Sequence, residues 1–311
     1  MKRIIKVKSP FTLAGIWLWC LAGFFLILLC NCKNDEQKSI TNNVDKTPVW
    51  FTAKHLNSGV WRISDHGYDN IHLVLGSEKA LLIDTGIGAA DLKGYVRTIT
   101  GLPLLVVNTH GHADHAGGNY QFDKVYGWAM DFYLSNNYNT QYYHDNTIAS
   151  ILKESPELEP VLLKERGVVN TEIIPVREGF VFDLGNRKLQ VIETRGHTGG
   201  SICLLDSVNR QLFVGDTNNE EEWLFTSVSL PLDVYLQTLE KLNARAAVFD
   251  TLFPGHGGRI DKSFISEQIT CVQNILSGEC AGEPFNTGHA LFCTYKRAKI
   301  VFDPNRLHSP N

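Results

Sequence analysis

The seven residues Thr109-His110-Gly111-His112-Ala113-Asp114-His115 carry three imidazoles and one carboxylate. Core packing asks for no such density of metal-binding groups. On a strand, His110 and His112 would point to opposite faces and could not share an ion. On a tight loop they converge, and Gly111 permits the turn. Asp114 and His115 then point to a second position. The cluster reads as a loop that serves two neighbouring metal ions.

Three further loops carry ligand-type residues directly after an apolar run and beside a glycine: Gly196-His197-Thr198, Gly215-Asp216-Thr217 and Gly255-His256-Gly257. Any one of them alone says little, because a single loop histidine is more often an ordinary polar residue. Joined to the first cluster they complete a set of His110, His112, Asp114, His115, His197, Asp216 and His256. Imidazole and carboxylate around open positions suit two zinc ions, with iron or manganese as alternatives. Ions about 3.5–4 Å apart share a water, and zinc lowers the pKa of that water from ~16 to ~7, giving hydroxide at neutral pH. The hydroxide attacks a carbonyl or phosphoryl centre while one ion polarises the oxygen under attack. The other ion steadies the leaving group, and Asp114 is expected to orient the hydroxide and carry its proton. No serine or cysteine with a matched base competes as nucleophile.

The elements that must position these groups are short. Strands are expected at Val60–Ile63, Ile71–Leu75, Ala80–Asp84, Leu104–Asn108, Ile173–Val176, Val181–Leu184, Leu189–Thr194, Ser201–Leu205, Gln211–Val214 and Ala247–Phe253. Helices are expected at Asp91–Ile99, at Leu230–Leu242 with Pro231 in its first turn, and at Lys262–Leu276, an amphipathic terminal helix. Each ligand loop follows a strand, as in βα units whose chemistry sits at the carboxyl ends of strands. The order β-rich, α, β-rich, α predicts an α/β fold, a four-layer αββα sandwich of two packed mixed sheets with helices outside. The segment from Asn136 to Val169, rich in Tyr, Asn, Glu and Pro, reads either as an insertion of short helices near the site or as a solvated surface excursion.

With its single ligands, the His-x-His-x-Asp-His run resembles the signature of the metallo-β-lactamase fold superfamily, over roughly residues 50 to 280. The resemblance implies that His110, His112 and His197 bind one metal, that Asp114, His115 and His256 bind the other, and that Asp216 bridges them. Asp84, in Ile83-Asp84-Thr85-Gly86, matches the family's first motif and is implied to support the metal loop from behind. True β-lactamases of the superfamily usually lack the bridging Asp, which favours hydrolysis of an ester, thioester, lactone or phosphodiester. Flavodiiron-type reductases usually place Glu where His112 stands. Glyoxalase II enzymes carry a basic helical tail, and only Lys296, Arg297 and Lys299 cluster here. Asn119-Tyr120-Gln121-Phe122-Asp123 and Gly200-Ser201-Ile202-Cys203-Leu204 are similar to acyl-CoA thioesterase-like members. The expected activity is a zinc hydrolase of a small-molecule ester, thioester or lactone. The alternatives are a β-lactamase, a mononuclear iron persulfide dioxygenase-like enzyme, and a non-catalytic surface lipoprotein.

Length and composition agree with a globular enzyme: 311 residues, 43% hydrophobic and 20% charged. Lys2, Arg3, Lys6 and Lys8 precede an uncharged apolar run from Phe11 to Cys30, the pattern of a secretory signal. The run is also long enough for an uncleaved anchor. Cys32, or Cys30, resembles a bacterial lipoprotein cysteine. The expected organisation is signal or anchor 1–31, flexible tether 32–48, catalytic domain 49–280 and extension 281–311, facing the periplasm or cell exterior. Removing residues 1–31 takes away four basic and no acidic residues, leaving 25 Lys+Arg against 33 Asp+Glu, a charge of −8. That balance speaks against nucleic acid as a partner. Cys203 is expected as a core thiol, and pairing among Cys271, Cys280 and Cys293 stays open.

Overall fold

The computed structural model describes residues 48–167, 171–286 and 288–310. The expected signal or anchor (1–31) and nearly all of the expected tether lie outside the described residues. Among the described residues no helix is long and apolar enough to cross a membrane.

The first sheet has seven strands in chain order: β1 (Phe51–His55), β2 (Val60–Asp65), β3 (Asn70–Leu75), β4 (Ala80–Ile83), β5 (Leu104–Val107), β6 (Lys124–Trp128) and β7 (Glu172–Val176). The first four run antiparallel, and β4 to β7 run parallel. The second sheet contains β8 (Val181–Asp183), β9 (Lys188–Glu193), β10 (Ile202–Asp206), β11 (Gln211–Gly215), β13 (Thr251–Pro254) and β14 (Ile260–Asp261), in the order β14-β13-β11-β10-β9-β8. β12 (Glu221–Leu224) lies between β11 and β13 in sequence but belongs elsewhere.

Central strands covered on both faces need near-continuous apolar sequence, and Leu81, Leu82 and Ile83 of β4 are all buried. Between the sheets Val60, Val74, Leu81, Ile83 and Val107 meet Val191, Ile202, Leu204, Phe213 and Phe253. The outer face of the first sheet carries α1 (Leu92–Ile99), which is capped by Asp91 accepting from the Gly94 amide at 2.8 Å. Leu92 and Val96 of α1 pack there with Ile63, Leu73 and Leu82. The outer face of the second sheet carries α5 (Leu232–Ala244) and α6 (Phe264–Leu276), whose Tyr235, Leu239, Phe264 and Val272 meet Ile192, Leu212 and Leu252. This is the αββα layering expected from the sequence.

Three local expectations change. Residues 247–250 are not strand; they form turns after α5, with Val248 donating to Arg245 O and exposed at 39%, so β13 begins at Thr251. The described part of the segment Asn136–Val169 holds the short helices of one reading, but it is partly core-forming, and its first helix, α3 (Phe132–Tyr138), starts earlier than expected. In α4 (Gln141–Glu154) and the turn after it, Ile151, Leu158 and Leu162 join the packing under the first sheet. Finally, α6 is not terminal. The chain continues into β15 (Glu283–Pro284), β16 (Leu291–Tyr295) and β17 (Ala298–Phe302), and β17 pairs in parallel with β12 to form a third sheet, β12-β17-β16-β15. Cys293, Ala298, Ile300 and Phe302 share a core with Cys271, Val272 and Ile275 of α6, and Cys280 is disulfide-bonded to Cys293. β15, β16 and β17, in the expected extension, are thus built into the domain. Cys203 and Cys271 are buried free thiols.

Candidate metal centre

Four strands, β5, β9, β11 and β13, deliver their following loops to one rim. The β5 loop carries His110 and leads into a one-turn helix, α2 (Ala113–Ala116), with His112 at its N-cap position. His110 and His112 converge, as a loop allows, with His110 Nε2 at 3.0 Å from His112 Nδ1. His197 Nε2 approaches the same His112 Nδ1 at 2.9 Å, closing a triangle of imidazoles. α2 turns Asp114 and His115 toward a second cluster with Asp216 and His256. There His256 Nε2 lies 3.3 Å from Asp114 Oδ2 and 3.2 Å from Asp216 Oδ2. His115 Nε2 lies 3.3 Å from Asp216 Oδ1. Asp216 Oδ2 is also 3.7 Å from His197 Nε2, so this carboxylate touches both clusters.

Gly215 (φ 48°) and Gly257 (φ 77°) make left-handed turns, whereas Gly111 and Gly255 serve close approach. Gly111 has no left-handed φ; a Cβ there would meet Asp131 O at 2.7 Å and Leu134 Cβ at 2.8 Å. At Gly255 a Cβ would lie 2.3 Å from Asp216 Oδ1 and 2.6 Å from His115 Cε1. Any side chain at position 255 would fill the ligand cluster itself.

Behind the clusters, the far nitrogen of three imidazoles is held. His115 Nδ1 lies 3.0 Å from Asp84 Oδ2, whose carboxylate also accepts from the Thr109 amide at 2.7 Å and the Thr109 hydroxyl at 2.8 Å. Asp84 makes these bonds from a left-handed backbone (φ 69°), which is uncommon outside glycine. His110 Nδ1 faces Thr109 Oγ1 at 3.2 Å. His197 Nδ1 lies 3.0 Å from both Glu222 Oε1 and Trp223 O. A histidine whose outer N–H is donated this way turns a lone pair inward, the arrangement usual for metal-binding imidazoles.

Two further observations fit a cation. His115 Nε2 and Asp216 Oδ1 are buried and face each other at 3.3 Å without hydrogen-bond geometry, a costly state that a shared ion relieves. Burial, with the neighbouring imidazoles, pulls His110 well below the usual range, and burial pulls His112 to about 3, so both are neutral at pH 7 and free to ligate. Burial would also lower His115, but Asp216, Asp114 and Asp84 outweigh it and hold that imidazole well above its usual value. A proton and a metal ion thus compete for the same nitrogen. The mouth of the site is formed by Asp114 and His256, exposed at 30% and 26%, while His110, His115, His197 and Asp216 are buried.

All seven expected ligand-type residues meet here, and Asp84 lies directly behind them. Two residues that hold the site are not evident from the sequence. Glu222 sits in Glu220-Glu221-Glu222, which reads as a solvated charge run, yet it is fully buried against His197. Asp131 accepts from the Gly111 amide at 2.9 Å, the Gly200 amide at 2.9 Å and the Thr198 hydroxyl at 2.6 Å, joining the loops of His110 and His197. The basic residues near the C-terminal end are engaged elsewhere: Arg297 pairs with Asp261 and Glu267, and Lys299 with Glu221.

Comparison with known proteins adds relatives to this geometry. The family model described as Metallo-beta-lactamase superfamily matches residues 65–256. An acyl-coenzyme A thioesterase of Homo sapiens, MBLAC2, is 32% identical over 234 residues, covering 67% of this chain and 81% of that protein. A probable metallo-hydrolase of Methanocaldococcus jannaschii is 27% identical over 206 residues, 64% of this chain and 92% of that protein. Among solved structures, a metallo-beta-lactamase from Pontibacter korlensis aligns with TM-score 0.52 at 20% identity, covering 72% of this chain and 99% of that one. A sec-alkylsulfatase from a Pseudomonas species aligns with TM-score 0.56 at 13% identity, covering 74% of this chain and 42% of that one. At these identities the structural neighbours speak to fold alone.

Proposed function

The chain belongs to the metallo-beta-lactamase superfamily, as a metal-dependent hydrolase, and on that premise we propose that it hydrolyses acyl thioesters. The observation that carries the reading is the 32% identity to acyl-coenzyme A thioesterases across a chain whose two ligand clusters are both complete. In this reading His110, His112 and His197 hold one zinc ion, Asp114, His115 and His256 hold a second, and Asp216 lies between them. Bound metal would supply Lewis acidity that activates water and polarises the acyl carbonyl.

The chain's own groups do the remaining work. Asp84, Thr109 and Glu222 fix the imidazoles so that little reorganisation accompanies reaction. Asp114 Oδ2, at the mouth and 3.3 Å from His256 Nε2, takes the proton of the attacking water. A thiol of pKa about 8.5 departs as thiolate without a dedicated acid, so the lack of any other assigned acid suits a thioester better than an amide.

We place the domain outside the cytoplasm, held by a lipid on Cys32 or Cys30 or by an uncleaved anchor. The basic and apolar pattern of residues 1–31 supports this, as does the Cys280–Cys293 disulfide, which belongs to oxidising compartments.

The test is a substrate panel on the zinc-loaded protein: acyl thioesters, an aryl ester, a lactone, a phosphodiester and a chromogenic cephalosporin. Thioester turnover should lead, and His112→Ala should abolish it. Rapid turnover of the cephalosporin alone would overturn the reading.

A further inference from the structure

Beyond the ligand clusters, the inner face of the first sheet ends in an unusual row. Val60 and Val74 of that face are buried against the second sheet. Along the same face the register sets Arg62 opposite Lys54 on β1 and opposite His72 on β3. His72 packs edge-on against Phe213 and Phe253. Like charges directly opposite across two strands are destabilising, yet Lys54 and Arg62 form such a pair. Arg259, from the turn between β13 and β14, joins them around one cavity of about 390 Å³. That volume falls in the range of about 300–1,000 Å³ typical of small-ligand sites.

Among the described residues no carboxylate lines this cavity, although the chain as a whole carries a formal charge of −4. Nor does any of the three cations make an ion pair with a described residue. Arg62 gives one hydrogen bond, to the Gly257 carbonyl at 3.3 Å. By contrast, Arg187, Arg210, Arg297 and Arg306 are each paired with a carboxylate. Three cations without an ion pair among the described residues give the recess a positive lining that attracts an anion, and guanidinium forks match phosphate oxygens bidentately. The recess adjoins the site: Pro254, Gly257 and Gly258 in its wall flank His256, whose Nε2 belongs to the second ligand cluster.

We propose that this cavity receives a phosphorylated end of the substrate's leaving arm, so that the thioester lies with its sulfur on the His256 side. The assignment rests on the thioester reading for its orientation. The recognition itself rests on Lys54, Arg62 and Arg259 alone.

The experiment compares the full chain with the double variant Lys54→Glu/Arg259→Glu, which alters two exposed side chains that make no ion pair with a described residue. The probe is S-methyl coenzyme A, a thioether with phosphates and no cleavable thioester, titrated by calorimetry. The wild type should bind it, and the variant should bind about tenfold or more weakly, the loss of at least one charge-assisted contact. Binding should also weaken with added salt. In parallel, the kcat/KM of an acyl-coenzyme A should fall to the same degree through KM, while that of the acyl thioester of N-acetylcysteamine, which has no phosphate, should be unchanged. Equal binding by both proteins, no binding by the wild type, or equal loss on both thioesters would overturn the proposal. Failure to cleave either thioester would overturn the thioester reading, while the titration would still judge the cavity.

Discussion

Asp131 is the sharpest place to test how the two ligand loops are held. Its side chain is buried, and it accepts from the amides of Gly111 and Gly200 and from the Thr198 hydroxyl. In Asp131→Ala both amides stay buried without an acceptor, while Thr198 Oγ1 keeps Ser201 Oγ at 2.8 Å. A buried donor without a partner costs about 1–3 kcal/mol, so the variant should lose about 2–6 kcal/mol. Asp131→Asn retains one carbonyl oxygen and should lose about half as much. Urea unfolding of the metal-free and zinc-loaded proteins measures both. Because the loops carry His110, His112 and His197, zinc affinity should also fall about 10–100-fold, as when supporting partners of metal ligands are removed elsewhere. If Asp131→Ala unfolds within about 0.5 kcal/mol of the wild type, the range of an ordinary surface change, and binds zinc as tightly, Asp131 does not fasten the two loops.

Other substitutions address other links. Glu222→Ala should lower zinc affinity about 10–100-fold in a competition assay, with Trp223 O left as the partner of His197 Nδ1. Reduction of the Cys280–Cys293 bond, which closes a sequence separation of 13 residues, should remove about 3 kcal/mol, and scanning calorimetry of Cys280→Ser should show the same lowered Tm with no further response to reductant. Phe213→Ala, in the core between the sheets against Phe253 and His72, should cost about 3–5 kcal/mol in chemical denaturation. Burial pushes Asp65 up to about 6 against hydrogen bonds from the Ile87 amide and Trp50. A raised carboxyl favours the folded state when protonated, so that contribution fades as pH rises from about 4 to about 6, and the stability of the wild type relative to Asp65→Asn should fall across that window.

The sandwich was legible because its central strands are nearly uninterrupted apolar runs and its ligand loops begin where those runs stop. The seven ligand-type residues were legible for a related reason: His, Asp and Gly cluster at strand ends in a density no core explains. What the sequence hides is whatever pairs across long separations. β1 and β12 carry too many charges to read as strands, with Lys54 and His55 in one and Glu221 and Glu222 in the other. The burial of Glu222 depends on β17, and that of Asp131 on loops 20 and 69 residues away. Gly111 was legible as a special position but for another reason, since a missing side chain and a left-handed turn look alike in a sequence.

The pairing of β12 with β17 also fixes an order of events. Glu221 and its partner Lys299 are 78 residues apart, and β12 has no other strand beside it among the described residues. On the ribosome, therefore, the carboxylate behind His197 has no strand to seat it until residues 298–302 have emerged. A nascent chain stalled before the β16–β17 hairpin would hold a half-built centre.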